Sequence, residues 1–356
     1  MPHLLVDISG HGFGHVAQTA AVLNALTRRL PGLRLTVRSS APAALLRQRI
    51  HHPFEHLSSS FDFGMRMADA MRVDVAATLA DYRGLHADWD ARVAREAATM
   101  RALAPDLLLA NIPYLSLAAA HAAGIPAVAL CCLNWADIYY HFCPGDAESR
   151  AIHRQMQAAY AGARRFLQIA PTMPMTDLPN RHALGVVAEL GKPRRDLLDA
   201  RFGADTRRVL VSMGGIEKRL PMEDWPALPG IVWLVPQRWG VQRADIAPFE
   251  PLGLGFSDLL ASCDAIVTKP GYGTFSEAAC SGIPVLYLAR EDWPEAPYLV
   301  AWLKQNGRCR ELPAERLENG EVAEYLEELW ALPTPPAPLP EGVAQAAEYL
   351  LEQFRG

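Results

Sequence analysis

Short runs of Val, Leu and Ile alternate from the first residue with longer segments in which apolar residues recur at helical spacing. The short runs are typical of buried parallel strands, and the longer segments are typical of the helices that join them. In the first half of the chain the pattern predicts strands at 4–8, 33–38, 106–110, 126–131 and 166–170, and helices at 16–30, 42–50, 73–103 and 115–123. We therefore predict an α/β domain with a parallel sheet.

A second series of the same kind follows segment 171–179, which has three prolines and no helical or strand period. It predicts strands at 209–213, 231–235, 265–269 and 284–288, and helices at 257–262, 274–281, 298–306 and 314–332. A last helix at 343–354 could return to the first domain. We predict a Rossmann-like domain at 1–170, a second at 171–340, and a C-terminal helical segment at 341–356.

Composition agrees with two ordinary domains, because 356 residues, half of them apolar, exceed what one hydrophobic core usually serves. A net charge of -5 and scattered basic residues argue against a nucleic-acid partner. The six cysteines lack zinc-site spacing, which indicates reduced thiols. The apolar run at 3–8 is too short for a signal peptide or a membrane span, so we expect a cytoplasmic protein, for which peripheral membrane contact stays open.

A glycine loop, SGHGFGH at 9–15, joins the first predicted strand to the first predicted helix. It departs from the dinucleotide fingerprint, because His15 replaces the third glycine and no acidic residue ends the second strand. His11 and His15 would lie at the sheet edge where α/β proteins bind ligands. His15 is the better general-base candidate, since the helix dipole should lower its pKa. The alternative is that His15 only caps the helix and that His11 is solvated.

A second glycine turn, PGYG at 270–273, precedes a helix predicted from Thr274. The N–H groups and the dipole at a helix start favour an anion such as a diphosphate. Thr274 and Glu277 also have the spacing of a capping box, so the alternative is that Glu277 only closes the helix end. A further glycine pair, Gly214 and Gly215, follows the first strand of this domain and should face the same site.

Two segments carry a family resemblance. Residues 259–278 (LLASCDAIVTKPGYGTFSEA), continued by SGIP at 281–284, resemble the donor-binding stretch of GT-B glycosyltransferases related to the enzyme that transfers N-acetylglucosamine to the peptidoglycan lipid precursor. Residues 10–15 and 134–139 (NWADIY) resemble the glycosyltransferase-like domain that precedes the sugar kinase in plant arabinokinases. The resemblance covers nearly the whole chain. It implies the GT-B fold, with an acceptor domain and then a nucleotide-sugar domain facing a cleft.

The resemblance also implies roles for individual residues. His15 would deprotonate the acceptor hydroxyl in an inverting displacement, and Asn111 stands where many related transferases have an aspartate that orients this histidine. Glu277 would hold the ribose hydroxyls. Arg290 and Glu295, which follow the next strand, would reach the transferred sugar. The residues implied in donor binding are Gly214, Gly215, Gly271, Gly273, Thr274, Glu277, Arg290 and Glu295.

The acceptor, whose identity stays open, would meet His11, Trp135, Asp137 and Tyr139, whose aromatic rings could stack on a sugar face; aromatic residues at this spacing are also common in protein cores. No metal or other cofactor is expected, since the Asp-x-Asp motif at 88–90 lies within a helical pattern. Two alternatives stay open: a nucleotide-sugar hydrolase or epimerase on the same scaffold, and a non-catalytic nucleotide-sugar-binding protein.

Overall fold

The computed structural model describes residues 1–69, 71–215 and 218–355. The chain divides into two compact units, which we call the first unit (residues 1–187 and 340–356) and the second unit (residues 188–339). Each unit contains one parallel β-sheet whose strands are joined by helices. Across the described ranges, no helix has both the length and the apolar character needed to cross a membrane.

The first unit has a seven-stranded sheet in the order β3-β2-β1-β4-β5-β6-β7. Its strands are β1 (His3–Ile8), β2 (Arg34–Arg38), β3 (Glu55–Leu57), β4 (Leu107–Asn111), β5 (Ala127–Cys131), β6 (Arg165–Ala170) and β7 (Arg181–Val186). Its helices up to β7 are α1 (Phe13–Arg29), α2 (Ala43–Arg49), α3 (Val75–Ala87), α4 (Trp89–Leu103), α5 (Tyr114–Ala123), α6 (Trp135–Phe142) and α7 (Ala147–Ala161). After β1 the chain adds β2 and β3 on one side of β1 and then crosses to add β4 on the other side. The topological switch point therefore lies between β1 and β4.

The second unit has a six-stranded sheet in the order β10-β9-β8-β11-β12-β13. Its strands are β8 (Arg207–Val211), β9 (Ile231–Val235), β10 (Ile246–Pro248), β11 (Ala265–Thr268), β12 (Val285–Leu288) and β13 (Cys309–Leu312). Its helices are α8 (Arg195–Phe202), α9 (Phe256–Ser262), α10 (Tyr272–Cys280), α11 (Ala296–Asn306), α12 (Ala314–Glu318) and α13 (Ala323–Ala331). Here the switch point lies between β8 and β11.

The central strands form where the sequence is continuously apolar. All six residues of β1 and all five of β4 are buried, as expected for parallel strands covered on both faces. The last helix, α14 (Glu341–Glu352), buries Ala346, Ala347, Leu350 and Leu351 on one face and packs against α1, β6 and β7. The C-terminal helix therefore belongs to the first unit.

The prediction of two Rossmann-like parallel-sheet domains is confirmed. The division between the units falls after residue 187, because β7 extends the first sheet beyond the proline-rich segment 171–179. The helix predicted at 73–103 is interrupted at Asp88, where α3 ends and α4 begins. Asp88 and Asp90 are both exposed at this junction, so the Asp-x-Asp motif lies on a solvated helical surface and not at a strand end.

Candidate functional site

The switch point of the first sheet brings together the glycine loop and the end of β4. Ile8, the last residue of β1, is in register with Asn111, the last residue of β4. The next backbone N–H, that of Ser9, donates to the carbonyl oxygen of Asn111 at 2.7 Å. The loop then turns into α1, whose third residue is His15. Two residues separated by 96 positions in the sequence thus become neighbours.

His15 is 7% exposed, and its imidazole is oriented by an amide. Its Nδ1 lies 2.8 Å from Oδ1 of Asn111, and Nδ2 of Asn111 donates to Oε1 of Gln18 at 3.0 Å. Because this second bond turns the amide oxygen toward the ring, Nδ1 must be the nitrogen that donates. Nε2 then holds the lone pair of the neutral ring, and it makes no hydrogen bond to any described residue. This is the arrangement required of a general base.

The surroundings of His15 raise its basicity. Burial alone lowers the pKa, but the contacts with Cys131, whose Sγ lies 3.8 Å from Nδ1, and then with Asn111 and Asp62 outweigh it and raise the pKa to about 9. The sequence-based expectation that the dipole of α1 would lower this pKa was therefore wrong. Acceptor groups around Nδ1 therefore outweigh the burial of the ring.

Trp135, at the start of α6, lies beside both histidines of the glycine loop. Its ring centroid is 5.0 Å from that of His11 and 5.6 Å from that of His15. The indole Nε1 donates to Oδ2 of Asp62 at 2.8 Å, and the hydroxyl of Ser9 donates to Oδ1 of the same carboxylate at 2.8 Å. Asp62 follows β3 and is 7% exposed. The structure thus adds a buried carboxylate that sequence reasoning did not select.

Gly64 explains how the segment after β3 approaches so closely. Its φ is 61°, and a Cβ at this position would lie 2.6 Å from Cγ of His11 and 2.8 Å from Cη2 of Trp135. The imidazole of His11 also contacts the carbonyl oxygen of Phe63, with Nδ1 at 3.1 Å. Only glycine fits both the left-handed backbone and the space here.

The four predicted acceptor residues are not brought to one surface. His11 and Trp135 lie beside His15. Asp137 instead accepts hydrogen bonds from Asn134 and Gln157, each at 2.9 Å. Tyr139, one helical turn beyond Trp135, is fully buried with its ring 4.6 Å from that of Tyr82. The structure therefore places Asp137 in the junction of α6 and α7 and Tyr139 in the aromatic core, not on an acceptor surface.

In the second unit, both glycine turns lie at the switch point. The chain leaving β8 is still paired with β11, since the N–H of Ser212 donates to the carbonyl oxygen of Val267 at 3.0 Å, and it then turns at Gly214 with a φ of 77°. Gly215 follows Gly214 in this turn. Strand β11 leads through Lys269 into α10. The two turns are therefore adjacent at the carboxyl edge of the sheet, where open α/β sheets bind ligands.

Helix α10 begins two residues earlier than predicted. Its N-cap is Gly271, which has no side chain to cap the helix, so Gly273 and Thr274 are the second and third helical residues. Thr274 therefore cannot be the N-cap of a capping box with Glu277, and that alternative is excluded. Glu277 lies in the second turn of α10 and is 2% exposed. Burial removes a carboxylate from water, which costs free energy unless other groups compensate for the lost hydration.

Lys269 is a cationic residue beside these turns that sequence reasoning left out, because its position looked like the end of a strand. It is 9% exposed, and its Cε lies 3.9 Å from the point that a Cβ of Gly214 would occupy. The Lys269 side chain, with its positive charge, therefore lies beside the Gly214 turn. A diphosphate bound there would meet this charge as well as the N–H groups at the start of α10.

The two residues predicted to reach the sugar are joined by a tryptophan. The Arg290 guanidinium lies over the ring of Trp293, 4.0 Å from its centroid. The indole Nε1 of Trp293 donates to Oε2 of Glu295 at 3.0 Å. Arg290 and Glu295 are 9% and 6% exposed, so this cluster after β12 is buried.

Within the parts of the chain that the structure describes, no three His, Cys, Asp or Glu side chains converge in a way that could hold a metal ion. No family model matches the chain. A curated relative, L-arabinokinase from Arabidopsis thaliana, is 25% identical over 333 residues, which cover 90% of this chain and 31% of that protein. The chain thus spans less than a third of the length of this relative.

Solved structures resemble the chain over almost its full length. The glycosyltransferase of kitacinnamycin has a TM-score of 0.60 at 17% identity, and the match covers 99% of this chain and 95% of that one. A putative UDP-N-acetylglucosamine 2-epimerase from Listeria monocytogenes has a TM-score of 0.58 at 15% identity, with the same coverage. The two Rossmann-like units of this chain therefore constitute the GT-B fold that these enzymes share.

Proposed function

We propose that the protein is a glycosyltransferase that moves a sugar from a nucleotide-diphosphate sugar, bound by the second unit, to a hydroxyl acceptor that His15 activates. One observation carries the proposal: in each sheet, the candidate catalytic or binding residues lie at the topological switch point. These are His15 with Asn111 in the first unit, and Lys269 with the turns at Gly214 and Gly271 in the second. The resemblance to glycosyltransferases and to an epimerase named for a UDP-sugar supports a nucleotide-sugar substrate.

The donor site is inferred from charge and backbone geometry. The diphosphate would accept hydrogen bonds from the N–H groups at the start of α10 and at the Gly214–Gly215 turn, with Lys269 supplying a positive charge. Glu277, deeper along α10, would accept hydrogen bonds from ribose hydroxyls. Arg290 and Glu295 would contact the transferred sugar.

The reaction we infer is a single inverting displacement. As the acceptor oxygen forms a bond to the anomeric carbon, its proton passes to Nε2 of His15 and the bond from that carbon to the diphosphate oxygen breaks. Asn111 keeps the Nδ1 proton in place, so that Nε2 is the basic atom. The charge that develops on the leaving diphosphate is stabilised by Lys269 and the dipole of α10, without a metal ion.

Nucleotide binding tests the donor half of the proposal. A thermal-shift panel of nucleoside diphosphates and their sugars should contain a stabilising ligand, since a ligand at about 100 times its Kd stabilises by about 2.7 kcal/mol. Glu277→Gln should weaken the best ligand by roughly tenfold, because a carboxylate accepts hydroxyl bonds more strongly than an amide. Glu327→Gln, an exposed change on α13, is the matched control. Equal affinities of the two variants would reject Glu277 as a donor contact.

An epimerase is the second candidate, favoured by the Listeria monocytogenes structure, whose TM-score nearly equals that of the glycosyltransferase. Product analysis with the best-binding nucleotide sugar separates the two functions. An epimerase or hydrolase would yield an isomer or free sugar when no acceptor is present, whereas a transferase requires a hydroxyl acceptor. Binding without turnover under every condition would indicate a nucleotide-sugar-binding protein.

A further inference from the structure

Asp62 is a carboxylate that is almost completely buried. Both of its oxygens are hydrogen-bonded, but the donors, Ser9 and Trp135, are neutral groups. Burial raises the pKa of Asp62, and the interactions with Ser9, His15 and Trp135 oppose this effect. An ionised carboxylate at 7% exposure costs several kcal/mol unless a cation lies close by. The question is which cation it faces.

The buried arginine of β2 already pairs with two other carboxylates. Arg38 donates to both oxygens of Asp7, at 2.7 and 2.6 Å, and to Glu96 at 2.6 Å. One guanidinium between two carboxylates has no positive charge left to offset a third. The indole of Trp135 donates to the carboxylate and lies 5.6 Å from the imidazole of His15 and 5.0 Å from that of His11. The charge of His15 acts on Asp62 and lowers its pKa.

Asn111 and Cys131 are the other groups at the imidazole, and neither offers a settled negative charge. The amide of Asn111 is neutral. Contacts with Cys132 and His15 outweigh burial and lower the pKa of Cys131 to about 6. However, Sγ of Cys131 also donates to Oε1 of Gln18 at 3.4 Å, and a fully buried thiolate would instead face that carbonyl oxygen. This repulsion opposes the thiolate, whereas the contact with His15 favours it, so Cys131 is the rival source of negative charge at the ring.

We propose that Asp62 supplies the negative charge that offsets the imidazolium of His15 and so acts as a positioning residue for the base. The inference rests on the role proposed above for His15. When Nε2 takes the acceptor proton, the new positive charge is stabilised across the edge of Trp135, and Asp62 itself gains no proton. The countercharge thus comes from the loop after β3, whereas the end of β4 supplies only an orienting amide.

Other ionisable groups lie around Asp62. Among the described residues they include Asp7 with its partner Arg38, His11, whose ring lies 5.0 Å from that of Trp135, and three buried tyrosines, Tyr82, Tyr114 and Tyr160. Each tyrosine has its pKa raised well above the ordinary value by burial, so each stays a neutral phenol.

The direct test is an NMR titration of the imidazole of His15, assigned by comparison with His15→Gln. Asp62→Asn, which can keep one acceptor oxygen, should lower the pKa of His15 by about one pH unit. Asp90→Asn, an exposed carboxylate of α4, should leave it unchanged. If Asp62→Asn has no effect while Cys131→Ala lowers the pKa of His15, the countercharge is the thiolate and the inference is overturned.

A charge-relocation variant separates electrostatics from packing. Asp62→Asn should reduce kcat by roughly 10- to 100-fold with little change in donor affinity, and adding Asn111→Asp should restore much of the loss by placing a carboxylate on the other side of the ring. A purely structural role for Asp62 would give no rescue. If no variant or parent turns over any acceptor, the glycosyltransferase proposal fails, whereas the titration still decides whether Asp62 is the countercharge.

Discussion

The proton on His15 links the protonation state of one side chain to the stability of the first unit. Its pKa in the folded protein is raised to about 9, above the ordinary value of about 6.5. The imidazolium therefore contributes stability that is fully present below pH 6.5 and is lost as the pH rises toward 9. We expect the free energy of unfolding, from urea titrations, to fall over this window in the parent protein and to fall less in His15→Gln. Equal falls would contradict the raised pKa.

In the proposed mechanism the same proton also sets the rate. His15→Ala should lower kcat by roughly 10²- to 10⁴-fold, the usual contribution of a general base, with donor affinity nearly unchanged. In the parent protein kcat should increase with pH up to the pKa of His15. Asn111→Asp should keep or increase activity and move this acidic limb further upward, since it adds a negative charge beside the ring. Turnover that survives His15→Ala on the true acceptor would place the base elsewhere.

Single residues were predictable where local spacing carries the signal. His15, Gly214 and Gly271 come shortly after strands, in recognisable glycine turns or at the helix start that follows, and the structure places each at a switch point. Asp62 was not predictable, because its partners Ser9 and Trp135 are 53 and 73 positions away. Nothing local marks an acidic residue after a short edge strand as buried. The direction of the His15 pKa was missed for the same reason: the groups that raise it come from other strands.

Among the elements, the interior strands were predicted and the edge strands were not. β3, β7, β10 and β13 are the four sheet edges. An edge strand has one neighbour and partly exposed faces, so its sequence lacks a continuous apolar run. β7 illustrates this, since its first three residues, RHA, are exposed. The same lack of pattern hid the fact that the sheet continues past the prolines of segment 171–179.

The turn after β8 allows a test that separates the structural role of a glycine from a role in nucleotide binding. Gly214 and Gly230 have nearly the same positive φ, 77° and 75°, but Gly214 lies beside Lys269 at the carboxyl edge and Gly230 precedes β9 at the opposite edge. Alanine at either position should cost about 1–2 kcal/mol of folding stability through backbone strain. Only Gly214→Ala should also weaken nucleotide binding, measured by calorimetry. A similar loss of affinity in both variants would remove the Gly214 turn from the donor site.

For the whole molecule, the proposed mechanism requires no metal ion. The leaving diphosphate is stabilised by Lys269 and the N-terminus of α10, both parts of the second unit. We expect turnover to persist after extensive treatment with EDTA and to change less than about twofold when magnesium or manganese is added. Activity abolished by the chelator and recovered with either metal would show that leaving-group stabilisation depends on a bound cation.

Two-domain architecture was predictable because the chain contains two successive series in which strand and helix patterns alternate. The limits of the domains were not, because the first unit is completed by two elements that lie beyond the prolines, β7 and the C-terminal helix α14. Proline content marks where regular structure stops. It carries no information on whether the next strand joins the preceding sheet.

The return of α14 makes the second unit an insertion within the first. The chain leaves and re-enters the first unit at adjacent points, since the N–H of Gly185 donates to Oε1 of Gln345 at 2.7 Å. A ribosome therefore delivers the entire second unit before it delivers the helix that covers β6, β7 and α1. During synthesis the second unit can fold while the first unit still exposes an apolar face, so the first unit is completed only after the second.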